Sequence, residues 1–127
     1  MYFGHGGGEQ YVRGQKVREL DSCSTAILMG CSSGHLHSAG DFEPWGTPLS
    51  YLMGGSPCIV ANLWDVTDKD IDRFSKTMLD KWGLSETTSS RKSLPEAVSE
   101  SRDACILKYL VGSSPVVYGI PVYLNPR

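Results

Sequence analysis

The 127-residue sequence predicts an α/β fold in which a mostly parallel sheet carries helical cover. Three observations carry that prediction. Thr25–Met29 is a continuous apolar run of strand length, and Cys58–Trp64 likewise reads as a strand buried on both faces. Asp68–Trp82 has its apolar residues at helical spacing, so a helix alternates with the strands. Glycine-rich loops follow the strand-like runs at Met1–Phe3 and Thr25–Met29, and in such sheets the loops at strand carboxyl ends carry the chemistry.

Taken in order, Met1–Phe3 is the short end of an apolar and aromatic run that stops at Gly4-His5-Gly6-Gly7-Gly8. A mixed, charged stretch then runs through Leu20. The run Thr25–Met29 opens into Gly30-Cys31-Ser32-Ser33-Gly34, so two strands each end in a glycine-flanked reactive residue. Thr47-Pro48 starts a short helix through Met53, with Thr47 as the expected cap, proline in the first turn and Gly54-Gly55 at the end. Within Asp68–Trp82, Ile71, Phe74, Met78 and Trp82 mark the apolar face. Gly83–Arg91 is a polar loop. Ser93 and Glu96 stand at capping-box spacing, and the helix they announce is expected to continue through Ala97, Val98, Ala104, Cys105 and Leu110. Val116–Leu124, interrupted by Gly119 and Pro121, reads as a final strand or edge segment.

Composition narrows the function classes. Forty per cent hydrophobic and twenty per cent charged residues fit a globular chain with one core, and no apolar run is long enough to span a membrane. Twelve basic against fourteen acidic residues, a net charge of -2, give no field that would draw the chain to nucleic acid or anionic lipid. Cys23, Cys31, Cys58 and Cys105 form no CxxC pair, which argues against a zinc knuckle or a thioredoxin-like motif. No signal peptide is read at the start, and free thiols point to a reducing, intracellular setting.

The candidate chemistry is nucleophilic. A cysteine attacks as its thiolate, and a nearby imidazole lowers its pKa and later supplies the proton the leaving amine needs. Cys31 follows a buried strand inside a Gly-Ser loop, and His5 ends the other glycine-flanked strand, so these two are the expected nucleophile and base. The glycines leave backbone N–H groups free to approach an oxyanion, and the Gly6 and Cys31 amides are the expected donors. Cys23, Cys58 and Cys105 are assigned to packing.

The same residues admit rival readings. His5-Gly6-Gly7-Gly8 matches an esterase oxyanion loop, and Gly30–Gly34 fits G-x-S-x-G with Ser32 as nucleophile. That arrangement needs a base histidine well downstream, whereas His35 and His37 lie only three and five residues beyond Ser32. A metal site built on His35 and His37 lacks an acid at ligand spacing, and no P-loop or Rossmann spacing occurs, so no metal and no cofactor are expected. Asp65, Asp68 and Asp72 are spaced to cluster at a helix start. They serve either as first-turn acids or as the lining of a pocket for a substrate arginine.

Tyr2-Phe3-Gly4-His5-Gly6, Met29-Gly30-Cys31-Ser32-Ser33-Gly34 and the run from Ala61 through Asp72 closely resemble the catalytic domain of separase. The likeness continues through Gly40–Pro44, Ser101–Cys105 and Pro115–Gly119. It implies a caspase-like three-layer α/β fold, of which residues 1–127 would form the C-terminal part, with the earlier strands lying outside the sequence. It further implies a cysteine endopeptidase that cuts after arginine in the kleisin subunit of cohesin to separate sister chromatids at anaphase. The catalytic pair it implies is His5 and Cys31, and for the arginine pocket it favours Asp72, then Asp65, with Asp68 as a cap. Securin is the implied inhibitor, and nucleus, cytoplasm and mitotic spindle are the implied locations. The alternative left open is a non-catalytic module that keeps the cleft and binds peptide.

Overall fold

The computed structural model describes residues 1–85 and 92–125. They fall into two compact units, where length alone suggested one core: Met1–Asp65 with Ser114–Ile120, and Val66–Ser113 with Pro121–Arg127. The division follows the chain path. It leaves the first unit after Asp65 and returns only for one strand.

The first unit is built on a sheet in the order β1 (Ala26–Leu28), β4 (Cys58–Asn62), β5 (Pro115–Gly119). Strands β1 and β4 run parallel, with Ile27 opposite Val60, and β5 lies antiparallel to β4, with Val117 opposite Val60. Every residue of β1 and β4 is buried, which is why β1, and β4 up to its closing Asn62, appear in the sequence as apolar runs. Tyr2 extends the sheet in parallel beyond β1. Its N–H donates to the Ile27 carbonyl at 2.8 Å, and its own carbonyl accepts from the Met29 N–H at 2.8 Å.

Two helices of this unit, α1 (Gly14–Arg18) and α2 (Thr47–Met53), pack together. Helix α1 falls in the stretch read only as mixed and charged. Helix α2 has its proline in the first turn as expected, but its N-cap is Gly46 and Thr47 is already helical. The Thr47 hydroxyl is spent elsewhere, donating to the Glu9 carboxylate, so it caps nothing. Between β1 and α2 a hairpin, β2 (His37–Ala39) and β3 (Phe42–Trp45), turns at Gly40 with φ 66°. The two residues between its strands are Gly-Asp, a sequence suited to the positive φ of such turns.

In the second unit, α3 (Asp68–Trp82) buries Ile71, Phe74, Met78 and Trp82 and ends at Gly83, whose φ of 98° is the left-handed stop that glycine favours. Helix α4 (Leu94–Ser101) packs on α3 and starts at the anticipated capping box: the Ser93 N–H donates to Glu96 Oε2 at 2.7 Å, and Ser93 Oγ accepts from the Glu96 N–H at 3.4 Å. The helix does not reach Leu110. It gives way to a 3-10 turn at Arg102–Ala104 because the Ile106 and Leu107 amides donate to the Asp70 carboxylate at 3.0 and 2.8 Å. Asp70, in the first turn of α3, is therefore buried and structural. Cys105 is buried as expected, just past that turn. Most of the loop expected at Gly83–Arg91 lies outside the described residues.

Candidate active site

Parallel pairing of the N-terminal segment with the β1 strand brings the two glycine-flanked residues together. His5 and Cys31 form a parallel bridge, two residues opposite each other on neighbouring segments, where strands lie about 4.7–4.9 Å apart. The side chains of an opposed pair share one face of the sheet. His5 is exposed, and Cys31 is half-buried.

The loops can approach this closely only because Gly30 lacks a side chain. A Cβ there would lie 2.0 Å from the Gly6 carbonyl oxygen and 2.6 Å from that of Gly4. The histidine loop turns through Gly6 and Gly8, with φ of 61° and 81°, and is held by Tyr2, whose hydroxyl donates to the His5 carbonyl at 3.0 Å. The Gly7 N–H donates to Glu9 Oε2 at 3.0 Å. Burial pushes the Glu9 carboxyl up, but the Thr47 hydroxyl, the Gly7 amide and nearby His37 outweigh it and hold the group below its usual range.

The cysteine loop is clamped from the end of β4. Ser33 Oγ donates to the Leu28 carbonyl at 2.7 Å and accepts from the Asn62 N–H at 3.0 Å. Asn62 Nδ2 donates to the Gly30 carbonyl at 3.2 Å, and the Asn62 carbonyl accepts from the Gly34 N–H at 2.7 Å. Ser32, directly after the thiol, has φ 53°, a strained region for a residue with a side chain. Its N–H donates to the Trp64 carbonyl at 3.2 Å and its hydroxyl to Asp65 Oδ1 at 2.8 Å, which together hold that conformation. The serine of the esterase motif is thus bound to a carboxylate.

Of the predicted site residues, His5, Gly6 and Cys31 come together, and Asp65 joins the cysteine loop through Ser32. Asp65 is exposed at the end of the first unit. Asp68 and Asp72 are exposed on α3 of the second unit. His35 and His37 meet edge to face at 4.8 Å, and His37 stacks on Trp45 at 4.3 Å. Among the described residues no three His, Cys, Asp or Glu side chains gather as a metal-binding set. Sequence reasoning missed Asn62, and it missed a cleft of about 290 Å³ beside Ser32 and Ser33, also lined by Glu9, Arg18, His37 and Trp45. Neither is marked by local spacing, since their contacts join distant parts of the chain.

Against known proteins, the family described as "Separin, protease domain" matches residues 1–71. The separin of Schizosaccharomyces pombe is 59% identical over 99% of this chain, and that of Emericella nidulans is 56% identical over 98%. A crystal structure of the Saccharomyces cerevisiae separase–securin complex superposes with a TM-score of 0.87 at 47% identity over 94% of this chain. The chain spans only 7%, 6% and 8%, respectively, of the lengths of those three proteins.

Proposed function

The chain belongs to the separin protease-domain family, and we propose that it supplies the nucleophile and base of a cysteine endopeptidase that cuts after arginine. The observation that carries this reading is the in-register pairing of His5 with Cys31 at the ends of adjacent parallel segments. The Cys31 thiolate adds to the carbonyl carbon of the scissile peptide, and the oxyanion so formed is held by the Cys31 and Gly6 N–H groups. As the C–N bond breaks, the His5 imidazolium gives its proton to the departing amine and a thioester remains. Water then adds to the thioester while His5 takes its proton, and expulsion of the thiolate releases the new carboxyl end.

The substrate proposed is the kleisin subunit of cohesin, whose cleavage separates sister chromatids at anaphase. Asp72 and Asp65 are the candidates for the arginine pocket, since a carboxylate pairs with guanidinium in two parallel hydrogen bonds. A securin-like chain is the proposed inhibitor, supported by the partner in the homologous yeast complex. The proposed setting is nucleus and cytoplasm, with spindle association in mitosis. Turnover of an arginine-ended fluorogenic peptide by the full-length protein tests the reading, with Cys31→Ser and Asp65→Asn alongside. Cleavage lost in Cys31→Ser supports it. Peptide binding without turnover by the parent protein would favour a non-catalytic peptide-binding module instead.

A further inference from the structure

Asn62 closes β4 and has no solvent exposure. A buried side-chain amide is costly unless its donors and oxygen find partners. Its Nδ2 donates to the Gly30 carbonyl at 3.2 Å, yet among the described residues its Oδ1 has no partner. The opposite amide orientation would set that oxygen against the Gly30 oxygen, and a carbonyl can only accept, so Gly30 dictates which way the amide faces. Main-chain atoms of the same residue reach Ser33 Oγ at 3.0 Å and the Gly34 N–H at 2.7 Å. Asn62 therefore grips the loop on both sides of Cys31, and only its side chain reaches the residue before it.

Gly30 and Cys31 share a planar trans peptide, in which the C=O of one and the N–H of the next point in opposite directions. Holding the Gly30 oxygen, with Asn62 Nδ2 at 3.2 Å and the Ser33 N–H at 3.3 Å, therefore sets the line along which the Cys31 N–H points. A backbone donor stabilises an oxyanion best when already aimed, because no reorganisation is then needed as charge develops. We propose that Asn62 is a positioning residue for peptide cleavage, aiming the Cys31 N–H at the oxyanion through the Gly30 carbonyl. The inference rests on the cysteine peptidase reading above. It also accounts for an orphaned amide oxygen in a strand whose other residues are apolar, since the amide is needed for its donor.

The test uses Asn62→Leu, similar in shape but without the donor, and Asn62→Ala, both in the full-length protein. For each, kcat and KM on an arginine-ended fluorogenic peptide are set beside the rate at which iodoacetamide alkylates Cys31. A positioning role predicts that kcat falls at least about tenfold while KM and alkylation stay within about threefold, short of the ~10²–10³ lost when an oxyanion donor is removed outright. Parental kcat, or a parallel loss of turnover and alkylation, overturns the proposal. Absence of Cys31-dependent turnover in the parent protein overturns the peptidase reading, and this inference with it. If neither variant folds, a crystal structure of the hemithioacetal between a peptide aldehyde and parental Cys31 decides. Its oxygen about 2.7–3.1 Å from the Cys31 nitrogen, with Asn62 still on Gly30, sustains the proposal. An oxygen directed away from that N–H, or a Gly30 carbonyl released from Asn62, overturns it.

Discussion

Replacing Gly30 with alanine probes the approach of the two reactive loops with a single added carbon. That carbon would lie 2.0 Å from the Gly6 oxygen and 2.6 Å from the Gly4 oxygen, where real Cβ atoms essentially never come within 3.0 Å. Both obstacles are backbone, which cannot rotate away as a side-chain tip can. The histidine loop must withdraw by about 1 Å, and His5, lying between Gly4 and Gly6, moves with it. A displacement of that size at a catalytic group costs about 10²-fold in rate, and the overpacking itself about 1–3 kcal/mol of stability. The assay is kcat/KM on an arginine-ended peptide in the full-length protein, with folding followed by circular dichroism. A folded Gly30→Ala protein with activity within about threefold of the parent would refute the reasoning that close loop contact aligns His5 with Cys31.

Other consequences concern stability and thiol chemistry. Ser93→Ala removes the capping box of α4 and should lower unfolding stability by about 0.5–2 kcal/mol, read from a urea transition. The Leu107 and Ile106 amides, and then Arg73, hold the Asp70 carboxyl below its ordinary value of 3.8. Its stabilising effect is therefore complete above about pH 4 and lost as pH falls through the lowered folded value, so Asp70→Asn should flatten the acid limb of the stability profile. Burial pushes the Cys58 and Cys105 thiols up, which predicts that in the native protein both react with iodoacetamide at least about tenfold more slowly than Cys31. Equal rates at the three cysteines would count against that assignment.

What could be read from sequence is what local pattern encodes. Strands β1 and β4 are buried on both faces, and α3 buries a regular stripe, so each leaves an apolar signature. The pairing of His5 with Cys31 could be anticipated because each follows a short apolar run and is flanked by glycine. The β2–β3 hairpin was not, since its residues are mostly exposed and carry no apolar alternation. The end of α4 at Ser101 was hidden for another reason: the amides that would have continued the helix are taken by Asp70, 36 and 37 positions earlier. Asn62 likewise acts on Gly30 across 32 positions, and within its own strand it looks like a terminal polar residue. Gly30 showed itself as a loop glycine, but the Gly4 and Gly6 carbonyls that require it appear only once the segments pair.

Cleavage through Cys31 is tested most directly by identifying the nucleophile. Incubating the full-length protein with a peptidyl acyloxymethyl ketone ending in arginine, then mapping the adduct by mass spectrometry, identifies it. One adduct is expected, at Cys31, formed far more slowly in His5→Ala. Labelling at Cys23, Cys58 or Cys105 instead, or labelling of Cys31 at an unchanged rate in His5→Ala, would contradict it.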